Sequence, residues 1–138
     1  MKEKLTDVSD SIKKLENLCL TIEQSKELEG LGVDFSNASL AFIDYNDDCH
    51  EYELVPFIKI GAYDIIPTLS NTEMISMMPP SSDDVENNII TSWIIRTEKG
   101  YKVTYQEFNT KIKFSCEERL LRDGLFKTIK WLKQNKLI

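Results

Sequence analysis

Between Ile89 and Phe114 the chain carries three apolar runs in close succession, and this arrangement limits its fold more than any other feature. Ile89 to Thr97 sets Trp93 and Ile95 on one side with Ile94 on the other. Tyr101, Val103 and Tyr105 alternate with Lys102, Thr104 and Gln106, and Lys111 to Phe114 presents Ile112 and Phe114. A two-residue period is the signature of strands with one buried face. The Glu98-Lys99-Gly100 connection suits a turn and has no room for a crossover helix, so a β-meander is expected.

The remaining segments frame that meander. Leu5, Val8, Ile12, Leu15 and Cys19 recur at helical spacing among charged residues, which predicts an amphipathic helix over Lys4 to Leu18. The same spacing describes a coiled-coil seam, so this peripheral helix either docks on the domain or joins two copies through residues 4–18. Thr21-Ile22-Glu23-Gln24 fits a capping box opening a short helix closed by Gly30 and Gly32. Ser39 to Asp44 and Glu51 to Ile60 read as a hairpin turning at Asn46, Asp47 and Asp48, with Pro56 placing the second strand at an edge. Ser70-Asn71-Thr72-Glu73 is a second capping box, with Leu69 and Met74 at the positions of a hydrophobic staple; Pro79-Pro80 ends that helix, and Ser81 to Asn88 reads as a loop. Ser115-Cys116-Glu117-Glu118 is a third capping box. It is expected to open a long helix over Cys116 to Asn135, with Leu121, Leu125, Thr128, Ile129 and Leu132 on one stripe.

No strand alternates regularly with a crossover helix. The expected fold is therefore α+β, an antiparallel sheet made of the hairpin plus the three-stranded meander, packed by N-terminal and long C-terminal helices. With 138 residues the chain forms one domain, 1–138, large enough for a core that needs neither disulfide nor metal.

Charge is unevenly placed. Glu27 to Ile95 holds 13 acidic residues and one basic one, Lys59, whereas Tyr101 to Ile138 holds nine basic and four acidic residues. Nucleic-acid affinity comes largely from Lys and Arg neutralising phosphates, so an acidic middle argues against direct nucleic-acid binding. Three widely spaced cysteines, Cys19, Cys49 and Cys116, suit a reducing compartment better than a disulfide framework. The charged start has no export-signal core, and no apolar run approaches the length of a membrane span, so a cytoplasmic protein is expected.

Asp44-Tyr45-Asn46-Asp47-Asp48 begins like a calcium loop, but Cys49 and Val55 stand where that loop needs Gly and a bidentate Glu. An acidic hairpin turn is the better reading. Cys49 and His50 are adjacent, and adjacent strand residues point to opposite faces, so they make a poor local dyad. Phosphate-loop, dinucleotide, nucleophile-elbow and zinc-hydrolase motifs do not occur, and no cofactor or metal is expected. Arg119, Arg122, Lys130 and Lys133 fall within about 80° on a helical wheel and flank the last helix's apolar stripe. Met74, Met77 and Met78 suit core packing or an adaptable groove.

Three segments carry a resemblance: Cys19 to Gln24 running on to Leu28 and Leu31-Gly32-Val33-Asp34; Pro67 to Ile75; and Glu117-Glu118 leading to Leu125, Ile129 and Trp131-Leu132. Together they resemble a family of small proteins of Bacteroides-type gut bacteria, their phages and mobile elements. That resemblance spans residues 19–138 and implies no activity and no catalytic residues.

The leading expectation is a non-enzymatic interaction or accessory protein that meets a basic protein partner. Its expected contact residues are Asp44, Asp47, Asp48, Glu51, Glu53, Asp83, Asp84 and Glu86, because complementary potential gives selectivity without reaction chemistry. Two alternatives stay open: a small enzyme assembled around Cys49, His50 and carboxylates, and a dimeric assembly component joined through the first helix.

Overall fold

The computed structural model describes residues 16–44, 52–56, 64–83, 89–107 and 111–138. Along the chain these form α1 (Ile22–Gly30), β1 (Leu40–Asp44), β2 (Tyr52–Pro56), β3 (Asp64–Thr68), α2 (Asn71–Met77), β4 (Ser81–Asp83), β5 (Ile89–Thr97), β6 (Gly100–Glu107), β7 (Ile112–Glu118) and α3 (Leu121–Gln134). The fold is α+β with antiparallel sheets, as the strand spacing requires. Hairpin and meander are both present, each in its own sheet and each extended by one strand: the order is β2-β1-β3 in one sheet and β4-β5-β6-β7 in the other. The helix expected over Lys4 to Leu18, and with it the dimer seam, lies almost wholly outside the described residues.

Two helices start where local chemistry places them. The Thr21 hydroxyl accepts from the Gln24 backbone N–H at 3.1 Å, and the Thr21 N–H donates to the Gln24 side-chain oxygen at 3.0 Å. Ser70 and Glu73 make the same reciprocal pair at 3.2 and 3.0 Å. The end of α1 is equally specified. Gly32 has φ +88°, its N–H donates to the Glu29 carbonyl at 3.0 Å, and the Val33 N–H donates to the Leu28 carbonyl at 3.0 Å. This is a Schellman closure, with Leu28 and Val33 both in the core. Replacing Thr21 by Ala is expected to lower stability by about 1 kcal/mol, measured by denaturant unfolding.

The third capping box is not used. Ser115, Cys116, Glu117 and Glu118 continue β7, and α3 starts at Leu121 behind Leu120, whose side chain caps nothing. Here the two-residue period prevails over the local cap signal: Phe114 and Cys116 pack against the core while Ser115 and Glu117 are exposed. Arg119 accordingly precedes the helix. A register shift beside Tyr105 and Gln106 pairs Gln106 with Ile112 and Tyr105 with Phe114, so Ile112 does not share the buried face of Phe114. Two strands were not expected. β3 pairs with β1 on the side away from β2, and Ser81 to Asp83, read as loop, pairs with Thr91 to Ile89. Pro56 and Pro67 occupy the two edge strands of the smaller sheet, where a missing donor is tolerated.

The main core lies between the inner face of the four-stranded sheet and the helices. Ile90, Val103 and Tyr105 meet Leu125, Ile129 and Leu132 of α3, and Leu28, Leu69, Met74 and Met78 close the other side. Met74 and Met78 are therefore core residues. Trp131 stacks on Phe114 with 5.1 Å between ring centroids, and the Tyr105 hydroxyl donates to the Pro79 carbonyl at 2.8 Å. A smaller cluster joins Cys19, Phe42 and Ile66, with Ile22, Leu40, Tyr52 and Leu54 around it.

Candidate functional site

Residues 18–20 run antiparallel beside 69–71. The Leu20 N–H donates to the Leu69 carbonyl at 3.0 Å, and the Asn71 N–H donates to the Leu18 carbonyl at 2.8 Å. This pairing seats the segment before α1 near the smaller sheet and carries Cys19 and Ile22 onto the sheet face that holds Phe42, Ile66 and Tyr52. Beneath it the Thr68 hydroxyl donates to the Leu20 carbonyl at 3.1 Å and lies 2.9 Å from the Ser25 hydroxyl. Fully buried side chains thereby fix the wall of the cleft described next.

That cleft, of about 360 Å³, opens between the segment before α1, the first turn of α1, the smaller sheet and the start of α3. Phe42 and Tyr52 contribute aromatic surface, Glu16 and Glu23 contribute carboxylates, and Arg122 reaches in from α3. A cation in the first turn of a helix opposes the helix dipole. Arg122 is held there by acceptors from elsewhere: one terminal nitrogen donates to the carbonyl oxygens of Glu16 at 2.9 Å and Cys19 at 3.4 Å, and Nε lies 3.4 Å from the Asp123 carboxylate. Its guanidinium thus ties α3 to the segment before α1. A second cavity, of about 330 Å³, lies between the α1–β1 connection and α2, lined in part by Asp34, Asn37, Glu73 and Ser76.

The backbone places the expected contact residues in two separate groups. Asp44 ends β1, in register with Tyr52 on one side and Asp64 on the other. Glu53 follows on β2 and is exposed. Asp83 ends β4 in the other sheet, across from Ile89. Asp47, Asp48, Glu51, Asp84 and Glu86 lie outside the described residues, as do Cys49 and His50. Sequence reasoning passed over Glu16, Glu23, Phe42, Tyr52 and Asp64, and it read Arg122 only as a flank of the last helix's apolar stripe.

Among the described residues, three of the nine cations of the C-terminal segment pair with carboxylates of that same segment. Lys113 pairs with Glu107, Arg122 with Asp123 and Lys127 with Glu118. One pair crosses to the acidic middle, Lys130 with Glu27 at 2.6 Å. The thiols of Cys19 and Cys116 are free, and burial raises both, Cys19 to about 11 against an opposing pull from Arg122. A thiol so raised is protonated at neutral pH and is a poor nucleophile there. Among the described residues no group of three or more His, Cys, Asp or Glu side chains gathers to hold a metal ion. Among them, too, no helix is long and apolar enough to cross a membrane. The face of the four-stranded sheet away from α3 exposes Trp93 and Ile95 of β5, as their alternation with Ile94 requires, and Ile112 is exposed on β7.

Comparisons with protein-family models, curated proteins and solved structures return no match.

Proposed function

We propose that this chain is a non-enzymatic interaction protein of the cytoplasm, an accessory product of a phage or mobile element, whose acidic middle receives a basic protein partner. The observation that carries this reading is the distribution of ion pairs. Of the four among the described residues, three close within the C-terminal segment and only the Lys130–Glu27 pair draws on the acidic middle. Among the described side chains of that middle, Asp34, Glu53 and Glu73 enter no ion pair, so their charge stays available to an approaching cationic surface, and such a field raises association rate and selectivity. Asp44, Asp47, Asp48, Glu51 and Glu53 are the contact residues in this reading, with Asp83, Asp84 and Glu86 as a second patch.

The test is capture of a partner from host lysate by the native chain at low and high salt. A variant with Asp47 and Asp48 changed to Asn and Glu51 and Glu53 changed to Gln serves as comparison. Salt-sensitive capture by the native chain, lost in the variant, is the expected outcome. Equal capture by both forms would remove the acidic segment from the mechanism.

A further inference from the structure

We infer that the outer face of the four-stranded sheet, the one turned away from α3, is the contact surface for a second copy of this chain, packed sheet against sheet as a two-fold dimer. The inference goes beyond the acidic reading above and uses none of its contact residues.

β5 carries the first argument. Ile90 and Ile94 enter the core, while Trp93 and Ile95 alternate with them on the outer side and Ile89 begins the same row. An antiparallel sheet that faces water has a polar outer side, whereas a strand apolar on both sides suits burial on both. Among the described residues six large apolar side chains are exposed, and four of them stand on this face: Ile89, Trp93 and Ile95, with Ile112 on β7. The centre of the face is already shielded. Thr104 lies in register between Trp93 and Ser115, is 1% exposed, and its hydroxyl sits 3.3 Å from that of Ser115. A covering layer therefore strands neither hydroxyl.

Charge and extent select the occupant. Lys102 of β6 stands in register with Glu117 of β7, and neither enters any of the four ion pairs among the described residues. A face with one unpaired charge of each sign is complementary to itself, because in a two-fold contact each copy's Lys102 can meet the Glu117 of the other. A wholly basic or wholly acidic partner would set one of the two against a like charge. With strands about 4.8 Å apart and about 3.3 Å of rise per residue, β5 to β7 span roughly 400 Å² in projection. Side chains standing off that plane raise the accessible area towards the ~800 Å² that each partner gives to a standard interface. Two such faces pack about 10 Å apart with their strands within about 30° of parallel.

Sedimentation equilibrium of the full chain, from about 1 to about 200 µM, is expected to show a monomer–dimer equilibrium with a dissociation constant on the order of 10 µM. The double variant Trp93→Ser with Ile95→Ser is expected to weaken it at least about tenfold, since a central aromatic anchor carries much of such a contact. Leu18→Ser with Ile75→Ser removes two exposed apolar side chains from outside this face and is expected to change it by less than about twofold. Charge exchange gives a readout specific to self-association. Lys102→Glu alone and Glu117→Lys alone are each expected to dimerise about fivefold more weakly, and an equimolar mixture of the two to recover native-like association, because opposite charges then meet. Thermal unfolding of each variant separates loss of the contact from loss of the fold, and the mixture decides the matter even where the apolar double variant does not fold. A native chain that stays monomeric throughout the range overturns the inference. So does a dimer that the Trp93 and Ile95 substitutions leave intact, as a seam through residues 4–18 would be, or a mixture that associates no better than its components.

Discussion

Replacing Gly100 by Ala should destabilise the protein by about 3 kcal/mol, or prevent it from folding at physiological temperature. Gly100 opens β6 with φ +144°, a backbone conformation that side chains disfavour. Space is the larger obstacle. A Cβ there would stand 2.3 Å from the Glu118 carbonyl oxygen, 2.6 Å from the Arg119 Cα and 2.8 Å from the Arg119 carbonyl oxygen. All three are backbone atoms at the junction of β7 and α3, so no side chain can swing away to make room. Relief would have to displace the start of α3 or separate Tyr101 from its partner Glu118. Gly124 provides the contrast. An added Cβ would lie 3.4 Å from a Val103 methyl and 3.9 Å from the Cys116 sulfur, both on side chains. The same substitution there should change stability by less than about 1 kcal/mol, because a tight contact opposes the better helix propensity of Ala. Urea unfolding of both variants checks the difference; equal midpoints would show that the junction yields as easily as the helix–sheet contact.

Truncating Leu125 to Ala should cost about 3 kcal/mol and lower Tm by roughly 10 °C. Leu125 is fully buried on α3 in the cluster that includes Val103, Ile129 and Leu132. Removing its branched end leaves a void that rigid β6 and the two shorter helices fill poorly. Ile95 is the control, since it stands on β5 of the same sheet but is 49% exposed on the opposite face. Ile95→Ala should cost under about 1 kcal/mol, little more than its partial burial supplies. Comparable losses at the two sites would mean that the core does not lie between that sheet and α3.

Physical range explains which parts of this fold the sequence discloses. The starts of α1 and α2 are legible because their caps are closed by residues three positions apart, and Gly32 marks the end of α1 for the same reason. The cap pattern at Ser115 misleads because the alternation of Phe114 and Cys116 with Ser115 and Glu117 places those residues in a strand, and burial of that face outweighs a bond or two at a helix start. β3 is as long as β1 and β2 but is hidden by Pro67, which signals strand only once an edge position is known. β4 is three polar residues long and acquires its structure from β5.

The cleft is less legible still. Glu16, Phe42, Tyr52 and Arg122 come from four segments, and Arg122 bonds to the Glu16 carbonyl from the opposite end of the chain. The total charge of the middle could be counted along the sequence. Whether the C-terminal cations neutralised it could not, because that depends on the ion pairs formed in three dimensions.

The central claim is that the negative charge of the acidic middle is a recognition surface rather than a uniformly wetted exterior. Its most direct test is residue-resolved amide chemical-shift mapping of the full chain as a hexa-arginine peptide is added. Shifts concentrated between Asp44 and Glu53, with a second group between Asp83 and Glu86 and with Lys111 to Gln134 unmoved, are what this account requires. Shifts spread evenly over the other exposed carboxylates, Glu98 and Glu117 included, would contradict it.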